Sequence, residues 1–331
     1  MSHLVHQHEM KVYGEIKLFA GSGSPDLAAR ISQYLGSPLC EREMVVFPNE
    51  NIFIKLAHSV RGQDVYVIQQ TAWPVHHNLM ELLITLQTLR LDSAARITAV
   101  VPYLCYGRSD KKDQPRVPIT ARLVADMIEV AGADRYVTLD PHAGQIQGFF
   151  SIPGDVLTTS HLLIDHVRRN LLADLKDPVV VAADLGFAKK ARNFAADINL
   201  PIAFVEKRRA ANDARAEALS IIGDVKGRDV IIVDDEVDTG GSISQAVELV
   251  KREGARDVYL VFVHPILSAN AAERLAGLPI KHIVTTDSVP IPEHKMKFLN
   301  GRITVLTVAG LLGEVIQRAH EGRSVGEMFN E

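Results

Sequence analysis

The sequence predicts an α/β protein of two domains with mainly parallel sheets. Three observations carry that prediction. The chain has 331 residues, about twice the length at which a single core is typical. Short β-branched runs alternate with segments of helical period, the rhythm of strand–helix–strand units. That rhythm runs through once on each side of a Gly/Pro-bearing stretch at 151–159, which is the best domain boundary.

The elements follow in order. Residues 64–69 read as a strand, and 75–91 as a helix whose Leu79, Leu82, Leu83, Leu86 and Leu89 recur at helical spacing. Strands at 96–103 and 135–139 flank a helix at 119–131. Beyond the boundary come a helix at 161–175, a strand at 178–183, a helix at 187–197 and a strand at 202–205. A strand at 229–233, a helix at 242–253, and strands at 258–263 and 280–285 complete the second half. A last helical segment at 311–319 is free to pack back. Little residue identity joins the two halves.

Composition narrows the function. A formal net charge of −4 speaks against a general nucleic-acid binder, which carries a basic surplus. It leaves a nucleotide enzyme open, because a phosphate pocket needs only local positive charge. No uninterrupted apolar stretch is long enough to span a bilayer. The start of the chain, with His3, His6 and His8, lacks the apolar segment of a signal peptide and reads as a frayed terminus. Cys40 and Cys105 are the only cysteines and read as free thiols. A cytoplasmic protein is expected.

The most informative run is Val230-Ile-Ile-Val-Asp-Asp-Glu-Val-Asp-Thr-Gly-Gly-Ser242. An apolar strand delivers Asp234 and Asp235 to its C-terminal tip, the edge at which open α/β sheets bind ligands. Asp238, Thr239, Gly240, Gly241 and Ser242 then open a helix. Glycines let backbone N–H groups approach an anion, the hydroxyls add donors, and the helix N-terminus adds positive potential. The run thus supplies a phosphate loop, with paired carboxylates that can accept hydrogen bonds from vicinal sugar hydroxyls.

This run resembles the phosphoribosyl-diphosphate loop of type I phosphoribosyltransferase folds. Over residues 16–329 the chain resembles the ribose-phosphate pyrophosphokinases. The resemblance is carried by Ser59-Val-Arg-Gly62, Met80-Glu-Leu-Leu-Ile84, Val101-Pro-Tyr103, Pro118-Ile-Thr-Ala121, Leu139-Asp-Pro-His-Ala143, Gln145-Ile-Gln-Gly-Phe-Phe150 and Glu206-Lys-Arg-Arg209, together with the loop itself. It implies two tandem type I phosphoribosyltransferase-like domains, at 1–155 and 156–304. A C-terminal segment, 305–331, is then expected to pack back on the first domain.

The resemblance also implies the rest of the site. His142, just after a strand, and Asp184, at the tip of another, would hold a catalytic Mg2+; Asp184 has the oxygen donor a hard cation takes. Phe187 stands where the family has a second glycine after that Asp. Lys207 and Arg209, leading into a polar stretch at 210–216, would belong to a mobile catalytic loop whose cations close over the diphosphate. Phe47, Asn49 and Asn51 match one nucleotide segment, with Asn49 and Asn51 where carboxylates are usual and Val46 in place of a cation. Arg108, Ser109, Asp110 and Lys111 match the other, with Ser109 for Gln and Lys111 for Arg. Lys at such a contact loses a planar, bidentate donor.

The implied partners are ATP and ribose 5-phosphate. The implied assembly is a homo-oligomer, commonly a hexamer, in which the Phe47 segment reaches a neighbour's active site. Two other readings stay open: an inactive regulatory homologue, and a type I phosphoribosyltransferase. Retention of the loop and of Lys207-Arg208-Arg209 speaks against the first. The chain's length and the run from Gln145 to Phe150 speak against the second.

Overall fold

In the computed structural model, which describes residues 13–209 and 217–329, the first half carries seven strands. They are β1 (Ile16–Ala20), β2 (Arg42–Val46), β3 (Ile52–Leu56), β4 (Asp64–Ile68), β5 (Arg96–Val101), β6 (Arg135–Leu139) and β7 (Gly154–Leu157). Helices α1 (Pro25–Leu35), α2 (Val75–Leu91) and α3 (Thr120–Ala131) connect them. Strands β1, β4, β5, β6 and β7 pair in that order, every pair parallel. The β2–β3 pair is an antiparallel hairpin outside that sheet.

The second half holds α4 (Ser160–Asn170), β8 (Val179–Ala182), α5 (Ala188–Asp197), β9 (Ile202–Arg209), β10 (Glu217–Ile222), β11 (Val230–Val237) and α6 (Gly241–Arg252). After them come β12 (Val258–Pro265), α7 (Ala271–Gly277), β13 (Ile280–Thr286), α8 (Glu293–Leu299), β14 (Ile303–Leu306) and α9 (Ala309–Glu321). Its strands lie in the order β10-β9-β8-β11-β12-β13-β14, and only the β9–β10 pair is antiparallel. The strand order reverses beside β8, with β9 on one side and β11 on the other. In a parallel sheet such a reversal opens a crevice at the C-terminal strand ends, where ligands bind.

The local rules that predict the elements also bury them. Every residue of β4 and of β12 is buried, as befits strands covered on both faces. Leu79, Leu82, Leu83, Leu86 and Leu89 of α2 pack into one cluster with Val67, Ala99 and Val124. Helix α9 lays Ala309, Leu312, Val315 and Ile316 against Leu18, Ile31, Tyr66 and Ile68 of the first half. Its end is pinned there by hydrogen bonds: Asp64 accepts from Nε and Nη2 of Arg96, at 2.8 and 2.6 Å, and pairs with Nδ1 of His320 at 2.8 Å, while Arg96 Nη2 also donates to the Ala319 carbonyl at 3.0 Å.

Several boundaries differ from expectation. Strand β9 continues past residue 205 to Arg209 and folds back as β10, so the backbones of Lys207 and Arg209 lie on a strand and not in a loop. The side chains of both, and the polar stretch 210–216, lie outside the described residues, as do His3, His6 and His8. Strand β11 runs on to Val237, so Asp234 and Asp235 sit within it. The helix expected at 161–175 ends at Asn170, with a 3-10 turn at Leu172–Asp174. The 151–159 stretch contains β7, an edge strand that a Gly-Asp pair disguises. Gly154 is needed there, because a Cβ would meet the Tyr136 ring at 1.9 Å.

The two sheets meet through His264 of β12. This ring is 3% exposed, with Nε2 3.1 Å from the Leu139 carbonyl of β6 and Nδ1 2.9 Å from Ser288 Oγ. Tyr103 packs edge-on against it. Burial lowers its pKa below the ordinary value of 6.5. The neutral ring therefore donates from Nε2 to Leu139 and accepts at Nδ1. Below about pH 6.5 the unfolded chain binds the proton that the folded ring refuses, so this contribution to stability is lost on acidification. His264→Ala is expected to lower stability near neutral pH by about 1–3 kcal/mol, since it leaves the Leu139 carbonyl without a partner. Urea unfolding at pH 7.5 and pH 5.5 checks both points: the parent should weaken towards pH 5.5 more than the variant does.

Candidate active site

The crevice beside β8 collects acidic groups. Asp184 follows β8 and accepts the Phe187 N–H at 3.0 Å, closing the 3-10 turn Leu185–Phe187. The Phe187 ring packs against the second half's core. Asp234 of β11 accepts the N–H of Asp235 at 2.9 Å. Asp235 and Glu236 are 6% and 5% exposed. Buried carboxylates crowded on one strand end cannot all ionise at ordinary pH without counter-charge.

The first half supplies that counter-charge. His142, just beyond β6, places Nδ1 2.8 Å from Asp235 Oδ2. Arg108, in the loop after β5, pairs through Nε with Glu236 Oε1, and its Nη1 stands 3.9 Å from Asp238 Oδ2. Lys190 of α5 donates to the Pro141 carbonyl at 3.4 Å and lines a small cavity with Asp140, Asp234 and Asp235.

The titration of these groups follows from that arrangement. Burial, the Asp235 charge and the nearby Asp184 push Asp234 well above the usual carboxylate range. Burial pushes Asp235 the same way, but the hydrogen bond and charge of His142, with Lys190 behind them, bring it below that range. Reciprocally, the Asp235 hydrogen bond raises His142 above 6.5 despite burial. Burial also raises Glu236, and Arg108 partly offsets it. One carboxylate of the Asp pair is therefore held ionised and its neighbour is poised to take a proton.

The loop that follows has the geometry of an anion cradle. Gly240 has φ +74°, a left-handed conformation in which a side chain would be strained, and it is the N-cap of α6. The N–H and hydroxyl of Ser244 both donate to the Gly240 carbonyl, at 2.9 and 2.8 Å. This fixes the first turn, whose own N–H groups have no partner within the helix. Thr239 and Ser242 are exposed, Asp238 and Gly241 half-buried.

The two nucleotide segments fare differently. Arg108 reaches the crevice. Ser109 Oγ lies 3.2 Å from Thr120 Oγ1 and accepts the Thr120 N–H at 3.2 Å, so its hydroxyl caps the start of α3. Asp110 is 6% exposed and accepts from Gln145, while Lys111 is exposed. Phe47, Asn49 and Asn51 form the tip of the β2–β3 hairpin. There Phe47 N–H donates to the Asn51 carbonyl and Asn51 N–H to Asn49 Oδ1, bonds that close the tip on itself. Sequence reasoning missed Glu236 and Lys190. Glu236 reads as the third of an acidic run, and Lys190 as one of two lysines on the solvated face of a helix.

An acidic crevice at a strand-order reversal, with a glycine-bearing helix start on one wall and cations from the other half, is the kind of site that suits an enzyme class handling sugar phosphates. Comparison with known proteins is more specific. Residues 16–132 match the N-terminal domain of ribose phosphate pyrophosphokinase, and residues 212–330 the phosphoribosyl synthetase-associated domain. The ribose-phosphate pyrophosphokinase of Caldanaerobacter subterraneus subsp. tengcongensis is 46% identical over 95% of this chain and 98% of its own. That of Chlorobaculum tepidum is 44% identical over 95% of each. The crystal structure of phosphoribosylpyrophosphate synthetase from Mycobacterium smegmatis superposes with a TM-score of 0.88 at 39% identity, covering 93% of this chain and all of that one. The chain belongs to the ribose-phosphate pyrophosphokinase family, and its fold is of the type I phosphoribosyltransferase kind.

The His142–Asp235 pair yields a direct test. Ring-proton or ring-carbon titration by NMR should give His142 a midpoint above 6.5 in the ligand-free protein. In Asp235→Asn the midpoint should fall, because the charge that raises it is gone. An unchanged midpoint in the variant would mean that the pair is not formed in solution.

Proposed function

We propose that the chain transfers the terminal diphosphate of ATP to the C1 hydroxyl of ribose 5-phosphate, giving phosphoribosyl pyrophosphate and AMP. The observation that carries this is 46% identity to a ribose-phosphate pyrophosphokinase along 95% of this chain and 98% of that one. Asp238, Thr239, Gly240, Gly241 and Ser242 hold the 5-phosphate with N–H and hydroxyl donors. Asp234 and Asp235 face the ring hydroxyls and set the sugar's orientation. Arg108 meets the donor's phosphates from the opposite wall.

The C1 oxygen attacks the β-phosphorus. Its bond to phosphorus forms as the bond from that phosphorus to the oxygen of the α-phosphate breaks, the hydroxyl proton leaves to solvent, and AMP departs. No side-chain base is required, since positioning and electrostatics supply most phosphoryl-transfer catalysis. Lys207 and Arg209 are assigned to neutralise charge growing on the diphosphate.

The donor set suits Mg2+. This ion takes one or two carboxylates together with substrate phosphates and keeps several waters. Among the described residues no three His, Cys, Asp or Glu side chains form a ready-made cage, and such an ion needs none. Asp184 would offer a carboxylate oxygen, and His142, whose Nδ1 is engaged by Asp235, would offer Nε2 once that nitrogen gives up its proton. The raised pKa of Asp234 marks an excess of negative charge that a cation relieves. When bound, the ion neutralises the phosphates.

Residues 1–155 and 156–304 are read as the two domains, with 305–331 returning to the first. A homo-oligomer is the assembly we favour. Two surfaces of the single chain suit a second copy: the hairpin, with Val46, Phe47 and Phe53 about half exposed, and an apolar groove between α2 and α3. That groove is about 580 Å³, and exposed Leu91, Leu123 and Val130 line it. In such an assembly Phe47, Asn49 and Asn51 would complete a neighbour's nucleotide pocket beside Lys111.

Incubation with ribose 5-phosphate, ATP and magnesium, followed by phosphorus NMR, tests the reaction. AMP and phosphoribosyl pyrophosphate should form in equal amounts, and Lys207→Ala should cut turnover by roughly a hundredfold or more while ribose 5-phosphate affinity stays near the parent's. Formation of ADP, or AMP without the sugar product, would overturn the assignment.

A further inference from the structure

We propose that Glu236 is the positioning residue for Arg108, holding its guanidinium so that the free edge faces the donor's phosphates. The inference rests on reading Arg108 as a nucleotide contact. Glu236 is 5% exposed on β11, and the partner it reaches across the crevice is Arg108 Nε. The guanidinium is thereby gripped at one corner. Nη1 stands 3.9 Å from Asp238 Oδ2, beyond hydrogen-bond distance, and the Arg108 side chain is 55% exposed. The Nη1–Nη2 edge, one of the two that can take a phosphate in parallel hydrogen bonds, therefore stays available while Nε is engaged.

A carboxylate competing with phosphate would engage that edge. One that orients the arginine engages Nε and leaves it open, as here. The need for such an anchor is physical. Arg108 lies in a loop, and its long side chain loses much rotamer freedom on being fixed. Burial on a rigid strand lets Glu236 impose that order before the donor arrives, so less of the donor's binding is spent on it. The same pair ties the nucleotide wall to the strand that carries Asp234 and Asp235.

Steady-state kinetics of the whole enzyme on both substrates test this. Glu236→Ala should raise the KM for ATP by about tenfold, leaving the KM for ribose 5-phosphate within about twofold and kcat little changed. Glu236→Gln keeps an oxygen that can accept from Nε–H and should stay within about threefold of the parent. Glu236→Asp, one methylene shorter, should lie between, and it serves if the alanine variant folds poorly. In an Arg108→Ala background, Glu236→Ala should have no further effect on the KM for ATP. A lower KM for ATP in Glu236→Ala would make the carboxylate a competitor, and equal rises for both substrates would make it merely structural. Either overturns the proposal. If Arg108→Ala itself leaves the KM for ATP unchanged, the nucleotide reading of Arg108 fails instead.

Discussion

Strand β11 ends in carboxylates that the fold buries, and much of the site's arrangement answers to that burial. Asp235 and Glu236 are almost fully enclosed and Asp234 lies between them and Asp184. A buried carboxylate without a partner costs several kcal/mol, so the strand end requires cations. Lys190 comes from the same half, but His142 and Arg108 come from the other. Charge neutralisation thus draws the first half's loops over the second half's strand tip. The neutral His264 clasp to Leu139 fixes the same junction by hydrogen bonding.

That arrangement divides the labour between the halves. The second half's strand-order reversal beside β8 creates the crevice, and the β11–α6 turn lines it with donors for an anion. The first half contributes the groups that follow β5 and β6, which reach in from the opposite side. Burial and its acidic neighbours raise the pKa of Asp234, while His142 lowers that of Asp235, so the two carboxylates of the pair differ in their hold on a proton. Helix α9, returning to the first half, links the end of the chain to the sheet that carries Arg108 and His142.

The sequence made the regular parts legible because they depend on local pattern. Helix α2 has the expected ends, since its leucines repeat at helical spacing and charged or turn residues bracket them. The strand–turn–helix unit of the candidate phosphate loop was legible because it is contiguous: strand, carboxylates, glycines and helix follow one another. What depended on distant partners was not. Glu236 draws its role from Arg108, 128 positions away, and nothing near it in the chain signals that pairing. The bond from the Thr120 N–H to the Ser109 hydroxyl likewise joins residues eleven positions apart, with no local signal for it. Edge strand β7 hides behind Gly154, which is there to admit the Tyr136 ring.

In the proposed division, β11 and its loop carry the sugar phosphate and the other half carries the nucleotide. Calorimetry on Asp234→Asn combined with Asp235→Asn tests it most directly. Amides keep the shape and remove the charge, so ribose 5-phosphate binding should weaken by roughly tenfold or more. Binding of a non-hydrolysable ATP analogue with magnesium should change far less. Equal losses for the two ligands would contradict the division, and so would a loss confined to the nucleotide.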